Sequence, residues 1–286
     1  MPKQIEHVIQ DIEGRSALDA LTGPVAELVN KVTQPTAVKN ALSGTWLGHA
    51  LHPVLTDVPI GAWGMATVLD LTAGERGARA ARKLVGFGLL AVVPTAASGA
   101  SDWADTIGGP QRVGLVHGML NSAATVLQAA SWVARLTGRR RAGVVLSGVG
   151  LGLTGASAYL GGHLSYVNGV GVNHTAFEEP TGKWTDVAAL TALEEDKPLR
   201  VDAGGVPVVL VRHGATVNAL SATCTHAGGP LDEGKVDADG CLHCPWHGSA
   251  FRLADGEVTR GPATVPQPDW DVKISQERVL VRAANA

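Results

Sequence analysis

The sequence predicts two domains of different class, an all-α four-helix membrane bundle followed by a small all-β domain. Three observations carry this reading. Only 17% of the 286 residues are charged and mean hydropathy is +0.13, against roughly 25% charged in an ordinary soluble domain. Charge also divides along the chain: residues 1–164 hold 13 basic and 10 acidic side chains and residues 165–286 hold 10 and 16, so a net of +3 is followed by −6. Finally, long apolar runs give way near residue 184 to short alternating ones. The overall charge of −3 leaves no basic excess to neutralise a phosphate backbone, which excludes nucleic acid as a partner.

In chain order, residues 1–45 form an N-terminal arm. Within it Leu18, Leu21, Val25, Leu28 and Val32 recur at helical spacing, as in a short amphipathic helix lying on the bundle or the membrane surface, or in a loosely packed arm. No cleavable signal peptide is read ahead of the first span. The membrane domain, 46–164, holds apolar runs at 53–73, 84–101, 113–134 and 142–163, each about a bilayer in length. The last three lack Asp, Glu, Lys and Arg, and the first carries Asp57 and Asp70 near its ends. Four helices of a soluble bundle would keep a charged face toward water. Gly148, Gly152 and Ala156 at four-residue steps let helix backbones approach closely, and Pro94 interrupts the second run.

The loops with Arg76, Arg79, Arg82 and Lys83, and with Arg135, Arg139, Arg140 and Arg141, are expected to be cytoplasmic. That gives a multi-pass protein of the cell membrane whose β domain is extracytoplasmic. Arg139–Arg141 read either as an internal twin-arginine export signal or as plain cytoplasmic anchors. Residues 165–183, rich in Gly, Asn and Pro, read as a linker. Residues 184–286 alternate, as at Val206–Val211 and Val279–Arg282, and predict a small antiparallel β domain.

Inside that domain Cys224-Thr-His226 is followed, after 17 residues, by Cys244-Pro-Trp-His247. Two Cys-plus-His pairs on two loops make a four-ligand site whose mixed softness suits zinc or an iron–sulfur centre. The longer strings Cys224-Thr-His-Ala-Gly-Gly-Pro-Leu231 and Cys244-Pro-Trp-His-Gly-Ser-Ala-Phe251 closely resemble the paired binding loops of Rieske [2Fe-2S] proteins, and Gly261-Pro262-Ala263 resembles that family's third, proline loop. The resemblance covers about 183–286 and implies an all-β, iron–sulfur-protein-like fold. It implies a [2Fe-2S] cluster with Cys224 and Cys244 on one iron and His226 and His247 on the other, with Ser249 donating to a cluster sulfide. Cys241 with Cys244, Cys224 and His226 is the rival, a structural zinc site.

High-potential members of the family carry a disulfide between the loops and a tyrosine near the second one. Gly229, Trp246 and Phe251 stand at those places, so the resemblance implies a ferredoxin-like potential in the lower part of the Rieske range. Phe251 is followed by only 35 residues, too few for the substrate domain of a Rieske oxygenase. An electron-transfer component is therefore expected rather than a stand-alone enzyme.

Leu47-Gly-His-Ala-Leu-His-Pro-Val-Leu-Thr-Asp-Val-Pro-Ile-Gly61 resembles the signature of an uncharacterised (DUF2231-like) four-helix membrane family, which implies no activity. Four antiparallel spans place His52, His117, His163 and Asp57 toward one side. Ionisable groups there are functional candidates. They could hold haem b, a quinone or a divalent metal, or simply bond to water, backbone and one another. The expected partners are redox proteins or quinone, together with the lipid bilayer. The reading that follows is a membrane-anchored one-electron carrier, and the runner-up is a subunit of a quinol or haem-linked oxidoreductase.

Overall fold

The structure, a computed structural model, describes residues 3–284. The outermost residues of the expected arm and β domain, 1–2 and 285–286, lie outside that range. The backbone separates into two units, residues 1–34 with 51–170 and residues 35–50 with 171–286, so the chain passes between them three times. Among the described residues seven α-helices come first: α1 (Lys3–Gly14), α2 (Asp19–Thr33), α3 (Thr36–Ser43), α4 (Leu51–Thr72), α5 (Ala78–Ala104), α6 (Gly108–Leu136) and α7 (Arg140–Tyr166). All but α3 belong to the first unit.

In that unit α4 packs on α5 and α6 on α7, as short connections dictate. Small residues make the close approach possible, but not the expected Gly148, Gly152 and Ala156, which are exposed, with open space at both glycines. A side chain at Gly88 would place its Cβ 2.3 Å from the Trp63 ring nitrogen, which instead donates to the Val85 carbonyl at 3.4 Å. Three helical segments, Leu51–Thr72, Gly74–Ala104 and Arg140–Tyr166, are long and apolar enough to cross a membrane. The fourth expected span, 113–134, lies within α6, which is as long but is not among them. Its polar side chains turn inward: Gln128 and Ser147 exchange two hydrogen bonds (3.1 and 2.9 Å), and Ser131 donates to the Gly143 carbonyl at 2.6 Å.

Arg135 is no loop residue. It ends α6 inside the unit, bidentate on the buried Asp70 carboxylate (3.0 and 2.5 Å), with Arg140 3.2 Å from the same carboxylate. Asp70 therefore neutralises one of the cations that the sequence assigns to a cytoplasmic loop.

The expected arm is three helices. Ile9 of α1 packs with Val113 and Leu160, and Asp19 of α2 takes two 2.7 Å bonds from Arg112. α2 buries Thr22, Ala26 and Thr33 and leaves Leu21, Val25, Leu28 and Val32 exposed, so its apolar stripe faces outward.

Among its described residues the second unit holds ten strands, β1 (Thr185–Ala189), β2 (Leu199–Asp202), β3 (Pro207–His213), β4 (Thr216–Ser221), β5 (Lys235–Val236), β6 (Cys241–His243), β7 (Ala250–Arg252), β8 (Val258–Arg260), β9 (Asp269–Ser275) and β10 (Arg278–Ala283). They form a six-stranded sheet ordered β1-β10-β9-β4-β3-β2 and a four-stranded sheet ordered β5-β6-β7-β8, with antiparallel pairing along both ladders. Alternation sends Val208 and Leu210 to one core with Trp270, Val279 and Val281. It sends Val209 and Val211 to the other, with Leu231, Leu242, Phe251, Cys224 and Cys244. The candidate site thus grows from the floor of the second core.

Candidate metal centre

The two Cys-plus-His loops are built alike. After β4, the Cys224 amide donates to the Gly229 carbonyl and the Gly228 amide to the Cys224 carbonyl, both at 2.9 Å. After β6, the Cys244 amide donates to the Ser249 carbonyl at 2.8 Å and the Gly248 amide to the Cys244 carbonyl at 3.0 Å. Gly228 and Gly248 hold φ of 75° and 69°, a left-handed turn that a side chain would strain. The turns aim successive amides inward: those of His226 and Ala227 bond the Cys224 sulfur, and those of Trp246 and His247 bond the Cys244 sulfur.

Both cysteines are buried and their sulfurs share a hydrogen bond. That bond and the loop amides hold the Cys244 thiol down at about 7, whereas Cys244 and burial push Cys224 up. His226 and His247 face each other with ring centroids 5.0 Å apart. Burial, then the charges of His247, Lys39 and His174, push His226 down to about 3, so its ring is neutral near pH 7, the form that binds metal. Its Nδ1 is buried without a hydrogen-bond partner, and the Nδ1 of His247 is likewise withdrawn from water.

Sulfur pair, nitrogen pair and inward amides fit a [2Fe-2S] cluster held by Cys224, Cys244, His226 and His247. A single zinc fits less well. It would gather its ligand atoms within about 4 Å of one another, but among the described residues the one trio of ligand atoms within 4.8 Å is the exposed set Glu195, Asp196 and His213. Cys241 lies on β6, where its sulfur takes the Thr259 hydroxyl at 3.6 Å. Ser249 is fully buried, and its oxygen accepts the Ala263 amide at 3.0 Å, which leaves the hydroxyl proton to donate. No side chain has room at Gly229, where a Cβ would stand 2.8 Å from the Cys244 sulfur.

Three residues lock these loops by contacts that the sequence did not reveal, Thr225 having been read only as part of the first motif. Gln267, fully buried, accepts the Thr225 amide (3.1 Å) and donates to the carbonyls of Ser221 (2.8 Å) and Thr223 (2.6 Å). Thr225 donates to the Val265 carbonyl at 3.0 Å. Arg260 joins the second loop to the third through the carbonyls of Gly248 (2.6 Å) and Gly261 (3.2 Å). Gln267 lies between Pro266 and Pro268 in a stretch without periodicity, so no pattern pointed to it.

Of the four candidates in the helical unit, two meet. The rings of His52 and His117 stand edge to face, centroids 6.4 Å apart. The Nδ1 atoms lie 3.0 Å from the Thr95 carbonyl and 2.8 Å from the Ser157 carbonyl; carbonyls only accept, so both rings carry their proton on Nδ1. The Nε2 of His117 then accepts from Asn121 at 3.1 Å. Gly99 and Gly161 admit the rings, since a Cβ would lie 2.5 Å from His52 and 3.2 Å from His117. His163 instead stands 3.5 Å from Glu13, and Asp57 is exposed on α4.

Residues 183–274 match the family described as Rieske [2Fe-2S] domain, and residues 48–174 match the one described as predicted membrane protein (DUF2231). Ferredoxin CarAc of Metapseudomonas resinovorans is 33% identical over 34% of this chain and 92% of its own length. The chain belongs to the Rieske [2Fe-2S] family. Human apoptosis-inducing factor 3 is 36% identical over 32% of this chain, and the match spans only 15% of that protein. The cytochrome b6-f complex iron-sulfur subunit of Chlorobaculum thiosulfatiphilum is 31% identical over 38% of this chain and 51% of its own length. Among solved structures, the ferredoxin of carbazole 1,9a-dioxygenase from Nocardioides aromaticivorans IC177 is 32% identical over 35% of this chain and 98% of that one, with a TM-score of 0.34.

Proposed function

We propose that this chain is a membrane-anchored Rieske protein that carries single electrons between redox partner proteins at the membrane surface. One observation carries the reading: twin loops bring two buried sulfurs and two inward Nδ1 atoms to one pocket. A [2Fe-2S] cluster there supplies one-electron chemistry, and the two imidazoles raise its potential above that of an all-thiolate cluster. The protein's own contribution is to direct four amides at the sulfurs and to keep His226 neutral. Gly229 and Phe251 support a ferredoxin-like, lower potential: one leaves no room for a bridging side chain, and the other offers no hydroxyl. The three apolar helices and the outward apolar stripe of α2 support a lipid partner. The basic residues between α4 and α5 and before α7 support a cytoplasmic side for those loops and an extracytoplasmic cluster domain.

Full-length protein in detergent, reduced with dithionite, is expected to give a Rieske EPR signal with two irons and two labile sulfides per chain. His226→Ala and Cys244→Ala are expected to abolish it, and a retained signal in either would refute the ligand set. Zinc without iron in the purified protein would overturn the redox reading.

A second reading rests on the His52–His117 pair. With Nδ1 protonated, the Nε2 of His52 presents a lone pair inside the helical unit, as a ligand or hydrogen-bond acceptor for haem, metal or quinone would. A haem absorption band, or reduction of the cluster by quinol that His52→Ala removes, would make the chain a quinol or haem-linked oxidoreductase subunit. Absence of both leaves the carrier.

A further inference from the structure

The cluster pocket has more walls than its three loops. Residues 35–50, ahead of the first long helix, belong to the β unit, and α3 packs on β8. Asn40 clamps the third loop: its side-chain oxygen accepts the Gly261 amide at 2.8 Å and its side-chain nitrogen donates to the Thr259 carbonyl at 3.1 Å. Thr45 adds a bond to the Ala263 carbonyl at 3.1 Å. The approach is tight, because a Cβ on Gly261 would come within 2.9 Å of the Thr45 hydroxyl and 3.0 Å of the Ser43 hydroxyl. Ala263 in turn bonds Ser249, so Asn40 lies one loop removed from the second ligand loop.

A second segment closes the other side. The His174 amide donates to the Thr225 carbonyl at 3.1 Å, and the His174 ring covers Gly228, where a Cβ would stand 3.3 Å from its Nδ1. His174 and the buried Lys39 both act electrostatically on His226. Residues 35–47 precede both family matches, and His174 ends the DUF2231 match, ahead of the Rieske match at 183–274. The two segments bracket α4–α7 in sequence, one leading into α4 and one following α7.

We propose that Asn40 and His174 are positioning residues of the cluster site: the segments that flank the bundle complete the envelope of the pocket, one gripping the proline loop and the other the first ligand loop. The pocket is then a property of the full chain rather than of residues 183–274 alone, and the cluster is shielded from water on two flanks by chain that runs directly into the bundle. This rests on the Rieske reading above.

The test uses full-length wild type, Asn40→Ala, Asn40→Asp and His174→Ala in detergent, with two readouts. One is the rate of iron loss to an added chelator. The other is the deuterium coupling at the reduced cluster after transfer to D2O, which reports water near the iron. Asn40→Ala is expected to lose iron about tenfold faster, a change of about 1.4 kcal/mol that is within what its two side-chain hydrogen bonds contribute; His174→Ala keeps the backbone bond to the Thr225 carbonyl but uncovers Gly228, and both variants are expected to gain deuterium coupling. Asn40→Asp keeps the acceptor for the Gly261 amide and is expected to fall between. Wild-type rates and couplings in both alanine variants would overturn the proposal while leaving the Rieske reading intact. A wild type without the Rieske signal would overturn the reading beneath it. If an alanine variant fails to fold, Asn40→Asp decides: wild-type rate and coupling there count against the clamp.

Discussion

Replacing Gln267 with leucine tests the account of how the first ligand loop is held. Leucine is close to glutamine in volume, so the change strips hydrogen bonds without opening a large cavity. Three buried or half-buried backbone groups lose their partner together: the Thr225 amide and the Ser221 and Thr223 carbonyls. Each buried polar group left unmade costs about 1–3 kcal/mol, so even the lower bound for the three is about 3 kcal/mol. That is more than a hundredfold in the equilibrium between closed and open loop. The assay is urea titration of the full-length protein, following cluster absorbance and EPR together. The expected result is cluster loss at clearly lower urea, with near-wild-type g values in the fraction that remains, because no ligand has been touched. A midpoint within error of wild type would show that the loop does not depend on Gln267, and the account of the first loop would fail with it.

Three further outcomes follow from the same geometry. Asp70→Asn breaks a buried ion pair and leaves Arg135 uncompensated, which costs about 3–5 kcal/mol; thermal unfolding of the helical unit in detergent should fall by many degrees, and an unchanged melt would refute the pairing. In iron-free protein the folded His226 sits near 3, below its ordinary unfolded value. The unfolded chain therefore binds the extra proton, and stability present above about pH 6.5 is lost toward pH 3 at about 1.4 kcal/mol per pH unit; His226→Gln should flatten that slope. In loaded protein the midpoint potential should fall as pH rises from 6 to 10, because the more positive oxidised cluster favours deprotonated imidazoles; a flat profile, or a potential above about +200 mV, would contradict the site proposed here.

The proposed ligand set stands out in the sequence because metal chemistry restricts residue type and spacing together. Cys224, His226, Cys244 and His247 stand at fixed offsets within two similar strings, and the glycines four residues after each cysteine are demanded by a left-handed turn. Helical character was legible in all four long runs because charge is missing from them or kept near their ends, but only three lie in helices apolar enough to cross a membrane, and the run at 113–134 does not. Of the expected stripe, Leu18 falls in the short turn before α2 and the other four in α2, and the structure shows which way those four face: Thr22, Ala26 and Thr33 take the packing, leaving Leu21, Val25, Leu28 and Val32 outside.

Contacts between residues far apart in sequence belonged to tertiary structure alone. Asp70 and Arg135 are separated by 65 positions and read as a span-end carboxylate and a loop cation until they met. Of the four grouped histidine-site candidates, His52 and His117 come together, while His163 finds Glu13 and Asp57 faces outward. Gln267, Asn40 and His174 carry no local pattern, because each acts by one side chain or amide on a loop that folding brings near. Sequence determines what is written in period and spacing: helix, strand and ligand pair. The grip of one segment on another depends on where the chain returns in space, and for this pocket that was decided by residues on either side of the bundle.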